Sequence, residues 1–439
     1  MNAVIGAGVT GLAVGMTSGA PVFERADGPG GICASYYRRP GDPTPHPHAP
    51  PEDDAYRFEV GGGHWIFGGD PAVLALLDDL VRTRSHRRRA TVRIGDTTVP
   101  YPLQDHVDRL GPDVVRAVDG DRRAAAPALP PEPTLDAWLE ASFGPTLHRL
   151  FFAPFNDRYT AGLFREVAAQ DAYKSPVPPV LSPASPPVGA RGYNDTFRYP
   201  DGGLDALAWA MAARCDVRYR KEVTAIDTGA RALHFDDGSV VPYDRLVSTL
   251  PLPVALRLAG VELDGPADPH TSMLVLNIGA ERGPACPDAH WQYEPASDSG
   301  FHRLGFYSNV DRSFLPAAHR EAGDRVALYV ERAYRGGEPP AAEERDVYAA
   351  RVVVELRHRG YVGEVEVLDP SWVEVAYTWR RPGSRWRGRA LELLEAAGVR
   401  QVGRYGAWHF QGIAESVGDG LVAGRFLADG RPATTAARP

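Results

Sequence analysis

The stretch from Ala3 to Glu24, AVIGAGVTGLAVGMTSGAPVFE, narrows the fold more than any other part of the chain. A short apolar run meets three glycines spaced G-x-G-x-x-G, a small-residue helix follows, and a second apolar run closes on a carboxylate. That order predicts the strand, turn, helix and strand that open a dinucleotide-binding α/β fold. Gly6 permits the tight turn after the first strand, Gly8 lets backbone approach a pyrophosphate, and Gly11 lets helix pack on strand. The helix beginning near Val9, with Thr10 in its first turn, offers N–H groups and a positive dipole end to that pyrophosphate. Glu24 stands where a carboxylate accepts hydrogen bonds from a ribose.

With 439 residues the chain has room for two domains, or for one domain elaborated by insertions. A net charge of −8, from 48 basic and 56 acidic residues, argues against nucleic acid as a partner. The one basic run, His86-Arg87-Arg88-Arg89, leads into a β-rich segment and reads as a strand edge. Cys33, Cys215 and Cys286 form no C-x-x-C pair, so neither a disulfide framework nor a metal site is expected. No apolar run approaches the ~20 residues of a membrane span, and the first strand begins where a signal peptide would lie. A cytoplasmic protein with no membrane partner is the expectation. Lysine occurs only at Lys174 and Lys221, so a phosphate would be held by guanidinium groups.

After Glu24 and Arg25 comes the pair Gly30-Gly31, which a plain nicotinamide site does not require; in flavoproteins of the glutathione-reductase-like superfold it continues the dinucleotide cradle, and it shifts the expected cofactor from NAD to FAD. Residues 40–55 are proline-rich and read as a mobile surface loop, with His46 and His48 exposed rather than metal-binding. FEVGGGHWIF, residues 58–67, returns to strand and turn, and its glycines Gly61, Gly62 and Gly63 imply close approach of backbone to something flat. Asp70 and Pro71 start a helix, and a hairpin over Thr91 to Val99 turns at Gly95-Asp96. Residues 105–170 read as helical with a cap at Thr134, and Ser175 to Pro187 as a proline-rich connector. A β-meander is expected over Val217 to Val241, a buried strand over Leu246 to Leu250, and a second, antiparallel sheet from Met273 onward. Near the C-terminus, Gly418-Asp419-Gly420 reads as a tight turn opening a helix whose positive end faces a flavin.

The chain resembles flavin-dependent UDP-galactopyranose mutases, especially the eukaryotic-type branch, and more distantly protoporphyrinogen oxidases and amine oxidases. The matching stretches are GAGVTGL, ERADGPGG, FEVGGGHWIF, VPYPLQ, APFNDRY, TFRYPDGGLDAL, YDRLVSTLP, HWQYEP, FHRLGFYSN, and GRYGAWHF with its GDGLVAG tail. They run through most of the chain in the family's order. VPYPLQ, HWQYEP and FHRLGFYSN favour the mutases over the oxidases.

The resemblance implies an α/β fold: a glutathione-reductase-like, FAD-binding Rossmann domain with inserted helical and antiparallel-sheet substrate domains. The domains would be 1–70, 197–262 and 400–439 for FAD, 71–196 for a mainly helical insert, and 263–399 for the substrate sheet. FAD would be held by Gly6, Gly8, Thr10, Gly11, Glu24, Arg25, Gly30 and Gly31, with Gly62, Gly63, His64 and Val223 beside it. Gly406, Asp419, Gly420 and Leu421 would close the cofactor site from the far end of the chain. His64 would lie against the flavin in a loop that moves with redox state. Tyr101 and Gln104 would flank a uracil, Arg198 and Arg303 would clamp a diphosphate, Asn309 would border that pocket, and Tyr377 would add a phenol. An arginine on a strand is ordinarily a surface residue, and Tyr101 between two prolines would equally serve as core packing.

The implied activity is redox-neutral pyranose/furanose interconversion of a nucleotide sugar, through a sugar adduct at N5 of reduced FAD. NADPH or another reductant would act transiently, and a homo-oligomer is among the expected assemblies. The alternative is an FAD oxidase or dehydrogenase of the protoporphyrinogen oxidase or amine oxidase type, which needs no arginines for a diphosphate. Departures from the family pattern cluster at the substrate end. Leu103 stands where an aromatic is usual, the glycine run before His64 is one residue longer, Trp379-Arg380-Arg381 replaces a tyrosine-containing stretch, and a tryptophan expected soon after APFNDRY is missing.

Overall fold

A computed structural model describes residues 1–124, 128–170 and 195–429. The connector expected over Ser175 to Pro187 lies outside the described residues. A five-stranded parallel sheet collects strands from across the chain, in the order Val217–Arg218, Val22–Phe23, Ala3–Ile5, Leu246–Ser248 and Val399–Gln401. Ala3–Ile5 is central, pairs in parallel with Val22–Phe23 and Leu246–Ser248, and is buried throughout. A short strand buried on both faces is what an unbroken apolar run produces in a parallel sheet.

The helix Val9–Ser18 lies on this sheet, and the C-terminal helix Ile413–Asp429 crosses it. Glycines make the crossing close: a Cβ on Gly420 would stand 2.3 Å from the Thr10 carbonyl oxygen, and one on Gly424 would stand 2.8 Å from that of Val14. The GDGLVAG stretch is therefore helix interior, not a turn. Its small residues serve helix-on-helix contact, and the helix begins earlier, at Ile413.

A seven-stranded sheet forms the second layer, in the order Val362–Thr378, His270–Arg282, Arg325–Arg335, Arg303–Phe306, Trp291–Tyr293, Ala90–Ile94 and Thr97–Pro100. All its pairings are antiparallel except Trp291–Tyr293 with Ala90–Ile94. The last two strands are the expected hairpin, so the sequence VPYPLQ is carried to the edge of the large sheet. Val217–Arg218 joins the parallel sheet, and the meander reduces to Val223–Asp227, Ala232–Phe235 and Val240–Pro242.

The helical segment packs against the hairpin and neighbouring strands of the large sheet. Pro112–Arg123, Leu135–Leu147 and Ala153–Tyr159 are its helices, and Thr134 caps the second by accepting from Ala137 N–H at 3.3 Å. A π-helical turn at His148–Phe152 precedes the third helix.

The loop at 40–55 is tied down rather than free. Tyr37 and His46 exchange two backbone hydrogen bonds of 2.8 Å, and Arg320 holds the Asp53 carboxylate with two bonds of 2.6 Å. His46 is half-buried with its Nε2 3.1 Å from Asp42 Oδ2, whereas His48 is exposed as expected.

Candidate functional site

A cavity of about 760 Å³ runs from the parallel sheet to the helical segment. At the first end it is lined by Gly6, Gly8, Thr10, Glu24, Arg25, Gly30, Gly31 and Val223, all named from the sequence. Here the backbone comes bare to the wall. Gly8 and Gly30 form a bridge between two segments without a side chain on either, and a Cβ on Gly11 would stand 1.8 Å from the Gly6 carbonyl oxygen. Gly8 caps the helix Val9–Ser18 with no side-chain hydrogen bond, so the first-turn N–H groups are left for a ligand. Glu24 accepts from Ala7 N–H at 2.7 Å and Ala26 N–H at 2.9 Å, which orients its carboxylate beside the glycine turn. A side-chain-free cradle, a helix start and a fixed acid fit a dinucleotide diphosphate and its ribose.

The start of the C-terminal helix meets the same cavity through Gln411, Gly412 and Ile413. The Glu415 carboxylate accepts from Gly412 N–H at 2.9 Å. These residues take the place expected of Asp419, Gly420 and Leu421, none of which reaches the cavity wall. Asp419 instead accepts a hydrogen bond from Gln411, and Leu421 packs on the core. Gly406 also lies behind the wall, where a Cβ would stand 2.9 Å from Gln401 Oε1, while Gly403 and Arg404 are at the surface of the cavity. Gly11 likewise works through packing.

The second end is lined by Tyr101, Gln104, Phe151, Phe155, Asn156, Tyr159, Tyr293, His302, Arg303 and Tyr377. The rings form a continuous wall: Tyr101 to Tyr293 at 5.0 Å, Tyr293 to Phe155 at 5.3 Å, Phe155 to Tyr159 at 5.6 Å, and Tyr159 to Tyr377 at 4.8 Å between centroids. Two amides stand in it. Gln104 is 5% exposed, and Asn156, 8% exposed, donates to the Phe152 carbonyl at 2.8 Å.

Arg303 enters this end from the strand Arg303–Phe306 and is held by Glu331, with Nε at 2.6 Å and Nη2 at 2.7 Å from the carboxylate oxygens. Burial works against both charges, yet the pair sustains them: Glu331 raises the Arg303 pKa, and Arg303 holds that of Glu331 at about 2. Arg404, from the GRYGAWHF stretch, donates to the Ala376 and Gln411 carbonyls and lies over the rings of Tyr377 and Phe410.

His64 stands where both ends are felt. Burial, and then the Arg404 charge, lower its pKa to about 4, with Glu331 opposing, so its imidazole is neutral near pH 7. Its Nδ1 lies 3.4 Å from the Gly62 carbonyl. Gly62 and Gly63 are needed for contact with the large sheet. A Cβ on Gly62 would stand 2.9 Å from Glu331 Oε1, and one on Gly63 1.9 Å from the Tyr329 hydroxyl. Gly63 reaches the cavity and Gly62 does not.

Two expected substrate residues lie elsewhere. Arg198 sits on the three-stranded sheet formed with Ile66–Phe67 and Thr83–Arg87, and pairs with Asp78. Its strand alternation turns the side chain away from the cavity. Asn309 donates to the Pro287 and Ala289 carbonyls at 2.9 and 2.7 Å, beside His290 and the basic run at 86–89. The clamp of Arg198 with Arg303 is therefore not assembled; Arg404, over the Tyr377 ring, is another guanidinium at the cavity. Arg404, Tyr293, Phe155, Asn156 and Tyr159 lay inside quoted motifs without an assigned role. His302, next to Arg303 in FHRLGF, also lines the cavity, and the sequence pattern gives it no role.

Comparison with known proteins gives the same fold. The pattern of the family described as flavin containing amine oxidoreductase matches residues 21–276, more than half of the chain. A crystal structure of reduced UDP-galactopyranose mutase superimposes with a TM-score of 0.82 at 22% identity, covering 100% of this chain and 97% of that one. A putative protoporphyrinogen oxidase from Exiguobacterium sp. 255-15 gives 0.69 at 14% identity, over 98% of this chain and 99% of that one. Cyclohexylamine oxidase from Brevibacterium oxydans IH-35A gives 0.61 at 14% identity, over 98% of each chain.

Proposed function

The chain belongs to the flavin containing amine oxidoreductase family, whose members use a flavin, and on that premise we propose that it is an FAD-dependent mutase that interconverts ring forms of a nucleotide sugar without net redox change. One observation carries the reading. Tyr101, Gln104 and Arg303, 202 residues apart at the extremes, line one cavity with the glycine turn at Gly6 and Gly8. An aromatic wall alone would suit a hydrophobic amine equally well. The buried amides and the guanidinium turn the reading toward a base and a phosphate. The similarity in fold to a UDP-galactopyranose mutase supports the same direction.

Reduced FAD would supply the electron pair that displaces the nucleotide from the sugar, with NADPH or another donor restoring the reduced state. The chain's own residues do the rest. Tyr101 and Tyr293 offer ring faces 5.0 Å apart in centroid for a base to pack on, and Gln104 offers an amide to its polar edge. Arg303, kept ionised by Glu331, meets the diphosphate as it gathers leaving-group charge. His64, neutral, can donate or accept one hydrogen bond beside the flavin without adding charge there. The ring wall from Phe151 to Tyr377 excludes water, which would otherwise compete with the sugar hydroxyls.

Titration of the FAD-loaded protein with a panel of nucleoside diphosphate sugars, followed by flavin absorbance, tests the reading. A response to UDP-sugars that Gln104→Ala weakens supports it. A response to amines but to no nucleotide sugar contradicts it.

A further inference from the structure

Arg303 arrives at the cavity with its charge already cancelled. Its partner Glu331 is 2% exposed, and both carboxylate oxygens are engaged by the one guanidinium. A ligand with two negative charges placed against this neutral pair gains far less than it would from a lone arginine, because the buried carboxylate repels it at nearly the same distance. Arg404 adds positive charge from over the Tyr377 ring, and a further positive charge next to Glu331 would offset the repulsion by that carboxylate.

His302 is placed to provide it. It is 1% exposed, its Nε2 lies 3.5 Å from Glu331 Oε2, and its ring forms part of the cavity wall next to Phe155 and Tyr159. Its Nδ1 has no hydrogen-bond partner. The backbone on both sides is fixed, with His302 N–H bonded to the Glu331 carbonyl at 3.0 Å and Glu294 N–H to the His302 carbonyl at 2.8 Å. These bonds hold the His302 Cα beside Glu331.

We propose that Arg303, Glu331 and His302 form a proton-coupled anion receptor: the dianionic diphosphate of the ligand binds together with one proton, which His302 takes up. This rests on the nucleotide-sugar reading above. In the free protein, burial lowers the His302 pKa, so it is neutral near pH 7. The groups facing it are few. Glu331 comes from the adjacent strand and Arg303 from its own, and these supply the charge it feels; Tyr159, from the helix Ala153–Tyr159, is the titratable ring across the cavity. A dianion beside Arg303 favours the imidazolium, Glu331 then lies between two cations, and the proton comes from solvent. Ligand affinity must rise as pH falls toward the free-state pKa of His302 and then level off.

The test is calorimetric titration of the FAD-loaded protein with UDP-glucose, whose diphosphate diester keeps two fixed negative charges through the range, in buffers of differing ionisation enthalpy. Wild-type protein should take up roughly one proton per ligand at pH 7, and Kd should rise about tenfold per unit on the alkaline side. In His302→Asn and His302→Gln, retained FAD absorbance reports folding, and proton uptake should vanish with Kd independent of pH. Tight binding of UDP-glucose by wild type with no proton uptake, or uptake unchanged in both variants, overturns the receptor and leaves the nucleotide-sugar reading standing. If UDP-glucose does not bind, the panel of nucleoside diphosphate sugars decides that reading, and sulfate, also a fixed dianion, serves as the probe of the receptor. Sulfate binding with His302-dependent uptake supports the receptor, and absence of binding or of uptake overturns it.

Discussion

Arg303 and Glu331 meet through two parallel hydrogen bonds of 2.6 and 2.7 Å inside the large sheet, and the same carboxylate lies 2.9 Å from where a Cβ on Gly62 would be. One buried anion thus orients the cationic side chain of the substrate end and abuts the glycine loop that carries His64. Arg303→Lys keeps the charge but loses the paired geometry, and should lower kcat/KM for the nucleotide sugar about tenfold or more. Arg303→Ala leaves the buried carboxylate with only His302 beside it, and should cost about 3–5 kcal/mol of stability besides, read from denaturant unfolding.

The pH dependence of stability follows from the same pair. The folded-state pKa of Glu331, about 2, lies below the ordinary carboxylate value of 4.5. Its contribution is therefore fully present above pH 4.5 and is lost as pH falls from there toward 2. Thermal unfolding should show Tm falling across that window in the wild type, and a shallower fall in Glu331→Gln.

Gly11→Val should abolish FAD binding, because the new Cβ would stand 1.8 Å from the Gly6 carbonyl oxygen and displace the turn. The flavin-to-protein ratio after purification measures it. Glu24→Ala should leave the fold intact and weaken FAD binding roughly ten- to a hundredfold, as expected when a charged acceptor is removed from a ribose site.

Gly420→Val separates two roles for the C-terminal motif. If the motif serves the helix crossing, with its Cβ 2.3 Å from the Thr10 carbonyl oxygen, the variant should lose about 1–3 kcal/mol of stability in the FAD-free protein as well as in the loaded one. A loss confined to FAD affinity would return Gly420 to the cofactor wall.

The cofactor end was legible because its requirements are local. A glycine turn between a strand and a helix, followed by an acid, shows in 22 consecutive residues. The GDGLVAG stretch misled for a physical reason: small residues mark a close helix crossing as well as a turn, and the pattern alone does not tell which. Arg198 and Arg303 are both arginines in apolar strands, and the difference lies in which face of which sheet each occupies. Asn309 lies in a motif that borders the cavity strand but turns into a 3-10 helix after Phe306. The local signal for His302 is a histidine flanked by Phe301 and Arg303 just before a largely buried strand. Its contact with Glu331, 29 residues further along the chain, depends on the pairing of two strands, which no local pattern encodes.

The most direct test of the mutase reading is to incubate the purified FAD-loaded protein anaerobically with UDP-galactopyranose and related nucleotide sugars, before and after reduction by dithionite or NADPH. The product is read by chromatography. Ring isomerisation that appears only after reduction, with no net consumption of reductant, is the predicted result. Substrate-dependent oxygen consumption in air, without isomerisation of any nucleotide sugar, would contradict it.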